Sequence, residues 1–122
     1  MCYNLEKQYL KMQEKKQINI GDFSKIQLIV GKILFAEKLE SGDKLLKFKV
    51  DIGEKQIQIL SGIAEYYNPE ELVGSKIIVV ANLEPIKLRG ELSEGMLLCA
   101  SGKNKVTLIK LDDEMVVGSP IT

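Results

Sequence analysis

The sequence predicts an all-β barrel carrying one short helix, and three observations support that prediction. Residues 46–59 alternate apolar and polar side chains with a period of two on both sides of a Gly-Glu pair, the pattern of a half-buried hairpin. Lys76-Ile77-Ile78-Val79-Val80-Ala81 is a nearly continuous apolar run, which fits a strand covered on both faces. Strand-sized segments recur up to Ile109, separated by turn-forming Gly, Ser, Asn and Asp.

In chain order, Met1–Gln17 places Leu5, Tyr9 and Met12 at i, i+4, i+7 spacing among charged residues, with Asn4 available as a cap. This is a narrow-striped amphipathic helix that needs a surface to lie on, either its own domain or a partner subunit. Ile26–Glu37 follows as a long strand with Gly31 in its middle, where a glycine marks a bend or bulge. Glu40-Ser41-Gly42-Asp43 is a turn by composition. In the next hairpin, Leu46, Phe48, Val50, Ile52, Ile57 and Ile59 face the core, leaving Lys47, Lys49, Gln56 and Gln58 on the outer face.

Asn68-Pro69-Glu70-Glu71-Leu72 combines a cap residue, a first-turn proline and first-turn acids, so it predicts a short helix that Gly74 ends. After the apolar run at 76–81, residues Asn82–Gly95 read as a loop. Met96–Ala100 and Val106–Ile109 make a last hairpin across Ser101-Gly102-Lys103-Asn104. About six strands, with one small helix between the third and fourth, describe a five-stranded Greek-key barrel of the oligonucleotide-binding type with additional C-terminal strands. The expected division is an N-terminal helical arm or linker over 1–21 and the barrel over 22–122.

A length of 122 residues suits one domain, and 45% apolar residues suffice for one core, built without tryptophan. No apolar run reaches the roughly 18 residues that would span a membrane. The N-terminus lacks the apolar centre of a signal peptide, so a cytoplasmic protein is expected. Cys2 and Cys99, at opposite ends, suggest no disulfide framework.

Histidine is absent, which removes the commonest general base and the commonest zinc ligand. No carboxylate pair sits in an apolar setting that would tune it for acid–base work. Neither a catalytic residue nor a metal or other cofactor is expected. Net charge is zero, unlike that of a protein built to coat nucleic acid. The balance is uneven, however: residues 1–60 hold eleven lysines against eight acids (+3), and 61–122 hold six bases against nine acids (−3). A basic face for a polyanion and a solvated mixed surface both fit this distribution.

Val30-Gly31-Lys32-Ile33, Gly42-Asp43-Lys44-Leu45-Leu46, Val50-Asp51-Ile52-Gly53 and Ile59-Leu60-Ser61-Gly62-Ile63-Ala64 all resemble one family. So do Pro69–Gly74, Val79–Leu83 and Ser93-Glu94-Gly95-Met96-Leu97-Leu98, each in family order. The family is the tRNA-binding domain found at the C-terminus of many bacterial methionyl-tRNA synthetases and as free-standing tRNA-binding proteins. The resemblance implies a non-catalytic module, homodimeric in bacterial members, that recognises tRNA shape near the outer elbow with little sequence preference. As an appended domain it would raise the synthetase's tRNA affinity and help hold the enzyme as a dimer.

By the same resemblance, Lys44, Ser61, Asn82, Ser93 and Met96 form an RNA-contacting rim, and Lys87 and Arg89 in the late loop add phosphate contacts. Lysine and arginine neutralise phosphate, while serine and asparagine hydrogen-bond phosphate or the 2′-hydroxyl. Methionine offers a polarisable apolar surface. Three of them have a second reading: Ser61 and Asn82 as satisfiers of turn backbone, Met96 as core. Leu39 and Glu40 stand where the family carries a His-Pro or similar pair, which sets an acid beside Lys44. A related branch of the same fold serves as a peptide-binding, export-type chaperone, the competing expectation. A purely structural dimerisation unit is the third.

Overall fold

In the computed structural model, which describes residues 14–40 and 44–122, the alternating segments form one five-stranded antiparallel sheet curled toward a barrel. Strands β1 (Leu28–Lys38), β2 (Leu46–Asp51), β3 (Gln56–Ser61), β4 (Lys76–Val80) and β7 (Met96–Leu97) lie in the order β3-β2-β1-β4-β7. The long β1 serves both halves: its first part pairs with β4 (Leu28↔Val80 to Lys32↔Lys76) and its second with β2 (Lys32↔Asp51 to Lys38↔Leu46). That order and sharing are those of an oligonucleotide-binding barrel.

The seam is closed by side chains as well as backbone. Glu94 N–H donates to the Gln58 carbonyl (2.7 Å), Gln58 N–H to Glu94 Oε1 (2.9 Å) and Leu60 N–H to Ser93 Oγ (3.1 Å). Inside, the period-two prediction holds. Leu46, Phe48, Val50, Ile57 and Ile59 are buried with Ile29, Ile33, Ile77, Val79 and Leu97, and Ile52 packs partly buried against them. Fully burying one such side chain contributes about 1.5–3 kcal/mol, so this interior dominates stability.

Gly31 does not mark the bulge. A Cβ there would lie 2.7 Å from Val79 Cγ2 and 2.8 Å from Val50 Cγ1, so the glycine lets β2 and β4 close over β1. The bulge falls three residues later, where the register shifts between Ile33 and Phe35 around Leu34.

Helix α2 (Pro69–Leu72) forms as expected, with the Glu71 carboxylate accepting the Asn68 N–H (2.9 Å). A one-turn helix α1 (Ile20–Phe23), capped by Asn19 Oδ1 on Asp22 N–H (2.7 Å), is an addition. The turn after it takes Ile26 N–H onto the Phe23 carbonyl (3.0 Å), so β1 begins at Leu28 and not at Ile26. The N-terminal helix expected over 1–17 lies outside the described residues up to 13, and 14–17 are not helical.

The expected loop 82–95 contains a hairpin, β5 (Ile86–Leu88) and β6 (Glu91–Ser93), turning on Arg89 and Gly90. The last hairpin is present as β8 (Cys99–Ser101) and β9 (Val106–Leu108). It is separated from β7 by Leu98, because β7 stays in the barrel sheet while β8 leaves it. The chain end returns along β1 where β2 has stopped: Val30 N–H donates to Ser119 O, Gly118 N–H to Val30 O and Ile121 N–H to Leu28 O.

Candidate nucleic-acid interface

Three surfaces adjoin around Lys47: the end of β1 with Leu39 and Glu40, the outer face of β2 and β3, and the β5–β6 hairpin. Just before β2, the Lys44 carbonyl accepts the Ala64 N–H (3.1 Å), tying this position to the Ser-Gly-Ile-Ala element, and Lys44 is exposed.

The hairpin is positioned by Glu91 and its neighbours. Gln58 Nε2 donates to Glu91 Oε1 (3.1 Å) and to the Leu92 carbonyl (2.9 Å). On the other side of Glu91, Lys47 Nζ lies 3.8 Å from Oε2 and 3.1 Å from Glu37 Oε1. Hydrogen bonding to Glu37, with the charge of Glu91 behind it, raises the Lys47 ammonium above the ordinary lysine value of 10.5, against its partial loss of solvent. Lys47 is thus charged at neutral pH but already answered by two carboxylates. An open cleft of about 350 Å³ remains between the end of β1 and the hairpin, lined by Glu37, Lys38, Leu39, Glu40, Lys47 and Glu91.

The hairpin tip is strained. Arg89 has φ 53°, in the left-handed region, and Gly90 follows at 80°. Two successive positive φ values suit the tight right-handed twist of a two-residue hairpin, and glycine or asparagine is the usual occupant. Arg89 and Lys87 are exposed there, so the hairpin presents two cations. The Glu91–Lys47 contact ties the base of this hairpin to β2.

The remaining expected rim residues are placed differently. Ser61 is 2% exposed, and its Oγ meets no hydrogen-bond partner among the described residues. Ser93 is 3% exposed; besides accepting from Leu60 it donates to the Gly95 carbonyl (3.2 Å). Neither hydroxyl faces solvent. Asn82 is exposed, but its amide staples the chain before β1: Oδ1 accepts Gln27 N–H (2.8 Å) and Nδ2 donates to the Lys25 carbonyl (2.6 Å). Met96 is half-buried opposite Val80. Sequence reasoning missed Glu37 and Glu91, which hold Lys47, and the hairpin that carries Lys87 and Arg89. The alternation of Ile86-Lys87-Leu88 and Glu91-Leu92-Ser93 about a two-residue gap was the available signal.

The profile of the family described as "Putative tRNA binding domain" matches residues 28–120. This chain belongs to that family. The domain is 50% identical over 112 residues to the methionine–tRNA ligase of Caldanaerobacter subterraneus subsp. tengcongensis, covering 92% of this chain and 18% of that enzyme. The chain therefore spans less than a fifth of that relative's length. Among solved structures, the MetRS related protein of Pyrococcus horikoshii superposes with a TM-score of 0.84 at 39% identity, covering 88% of this chain and all of that one. The chaperone CsaA of Bacillus anthracis superposes at 0.80 with 28% identity, covering 88% and 100%. Among the described residues no helix is long and apolar enough to cross a membrane.

Proposed function

We propose that this domain is a non-catalytic tRNA-binding module of the cytoplasm, which recognises the shape of tRNA and acts as, or together with, the C-terminal part of a methionyl-tRNA synthetase. The family match over residues 28–120 carries this reading. Two observations support it: Lys44, Lys87 and Arg89 are exposed, and the β5–β6 hairpin that carries the last two lies in the connection between β4 and β7, the kind of loop at which this fold binds oligonucleotides. In this reading the three cations neutralise phosphates. Asn82 and Met96 line the rim, and the buried Ser93 and Ser61 support it from beneath, with Asn82 and Ser93 fixing backbone.

The working unit is a homodimer. Ile20, Phe23 and Ile26 expose apolar side chains on the segment that Asn82 staples to the barrel, and Leu83 is exposed beside the staple. A partner subunit would cover them.

Gel-shift titration with folded tRNA tests the reading. Binding at micromolar protein that weakens about tenfold or more between roughly 50 and 200 mM salt is expected, as for a few neutralised phosphates. No shift at high micromolar protein contradicts it. Peptide capture is the second reading, favoured by the superposition on CsaA. The stronger sequence identity to a tRNA ligase ranks it lower. Preference for an unfolded polypeptide over tRNA in competition would reverse that order.

A further inference from the structure

The bulge in β1 has a local consequence that barrel closure does not require. In a regular ladder Ile33 and Phe35 would share a face, and Ile33 is fully buried. The register shift instead leaves Ile33 opposite the buried Val50 and sets Phe35 opposite the exposed Lys49. The extra residue, Leu34, thus turns Phe35 out of the core. There Phe35 is 44% exposed and Leu34 is 38% exposed, an apolar island on a polar face. Bulges re-aim side chains in this way beside binding sites.

Its surroundings are specific. Phe35, Lys49 and Gln58 lie directly opposite one another across three strands. Directly paired side chains have Cβ atoms about 4.5–5.5 Å apart. Lys47, two residues along the same strand face, is held by Glu37 and Glu91, whereas Lys49 makes no ion pair among the described residues. Gln58 is anchored on Glu91 and the Leu92 carbonyl. A flat aromatic surface therefore stands next to a free ammonium and a fixed amide.

We propose that Phe35, flanked by Leu34, is a stacking platform for an unpaired nucleobase, with Lys49 taking that nucleotide's phosphate. Aromatic faces with adjacent cations are how barrels of this type hold single-stranded bases. The proposal rests on the RNA-binding reading above and adds a requirement to it: besides the shape of tRNA, the domain engages one base out of its helix. Charge and size favour a nucleotide over protein here. Leu34 and Phe35, bordered across β2 and β3 by Lys49, Lys47, Glu37 and Gln58, are two side chains, far short of the roughly 800 Å² per partner that a stable protein interface buries.

The chain has no tryptophan, so Phe35→Trp creates a single indole reporter at the proposed platform. The full chain, Phe35→Trp, Phe35→Ala and Lys49→Ala would be titrated with folded tRNA, an oligouridylate and a blunt RNA duplex. Phe35→Trp should bind tRNA as the parent does, with indole emission quenched saturably by tRNA and oligouridylate but not by the duplex. Phe35→Ala should lower tRNA affinity about 5- to 100-fold at unchanged salt dependence, since it removes stacking and no charge. Lys49→Ala should make the salt dependence shallower by about 0.7–0.9 in log–log slope. Parent-like tRNA binding by Phe35→Ala, or unchanged indole emission at saturation, overturns the platform and leaves the tRNA reading standing. So does a Phe35→Ala protein that keeps its RNA affinity but loses dimerisation or capture of unfolded polypeptide. If the parent chain itself binds no tRNA, the underlying reading has failed and the platform fails with it.

Discussion

Lys44 and Lys47 lie three residues apart and differ in what they offer a phosphate. Lys44 is exposed and makes no ion pair among the described residues, whereas Lys47 is answered by Glu37 and Glu91. Lys44→Ala should weaken tRNA binding several-fold and make its salt slope shallower by about 0.7–0.9, the signature of one lost phosphate contact, measured by anisotropy across a salt series. The two buried serines separate in the same manner under thermal denaturation. Ser93→Ala leaves the buried Leu60 N–H without its acceptor and should destabilise by about 1–3 kcal/mol. Ser61→Ala removes a buried hydroxyl that has no partner among the described residues, and should be neutral or stabilising. Serine at a strand end looks the same in sequence whether its hydroxyl faces water, backbone or nothing. That is why motif reasoning placed both on the rim and the packing placed both inside.

At the scale of elements, strands that alternate were legible and the places where the ladder breaks were not. The pattern of β2 and β3 named Leu46, Phe48, Val50, Ile57 and Ile59 as core because these stretches bury one face, whereas Leu60 and Ser61 at the end of β3 are buried as well and break the alternation. The bulge at Leu34 depends on how β1 divides its length between β4 and β2, a tertiary choice with no local spelling. Gly31 was visible as an interruption, but its reason, the approach of Val50 and Val79, lies in other strands. Gly31→Ala should accordingly cost about 1–3 kcal/mol of stability by urea denaturation, through overpacking. The β5–β6 hairpin was hidden because Arg-Gly is an uncommon occupant of its turn. Arg89→Asn should relieve the left-handed strain and raise stability by a few tenths to about 1 kcal/mol, while weakening tRNA binding by the loss of a cation. Opposite signs for the two readouts are the expected result; a parallel fall in both would mean that Arg89 serves the fold alone.

For the whole molecule, zero net charge makes modest, shape-directed affinity the natural expectation, strengthened when two barrels engage one tRNA. Sedimentation should therefore show a dimer at micromolar concentration, and a monomer would remove the avidity. The barrel is the part that the alternation supports without any relative, whereas the word tRNA rests on the ordered motifs and the family match. The most direct measurement is equilibrium binding of the full chain to folded tRNA, with a double-stranded RNA of equal length as competitor, at about 50 and 200 mM salt. The account predicts saturable micromolar binding that prefers tRNA to the duplex and weakens about tenfold or more at the higher salt. Equal affinity for duplex and tRNA, or no binding at high micromolar protein, would contradict it.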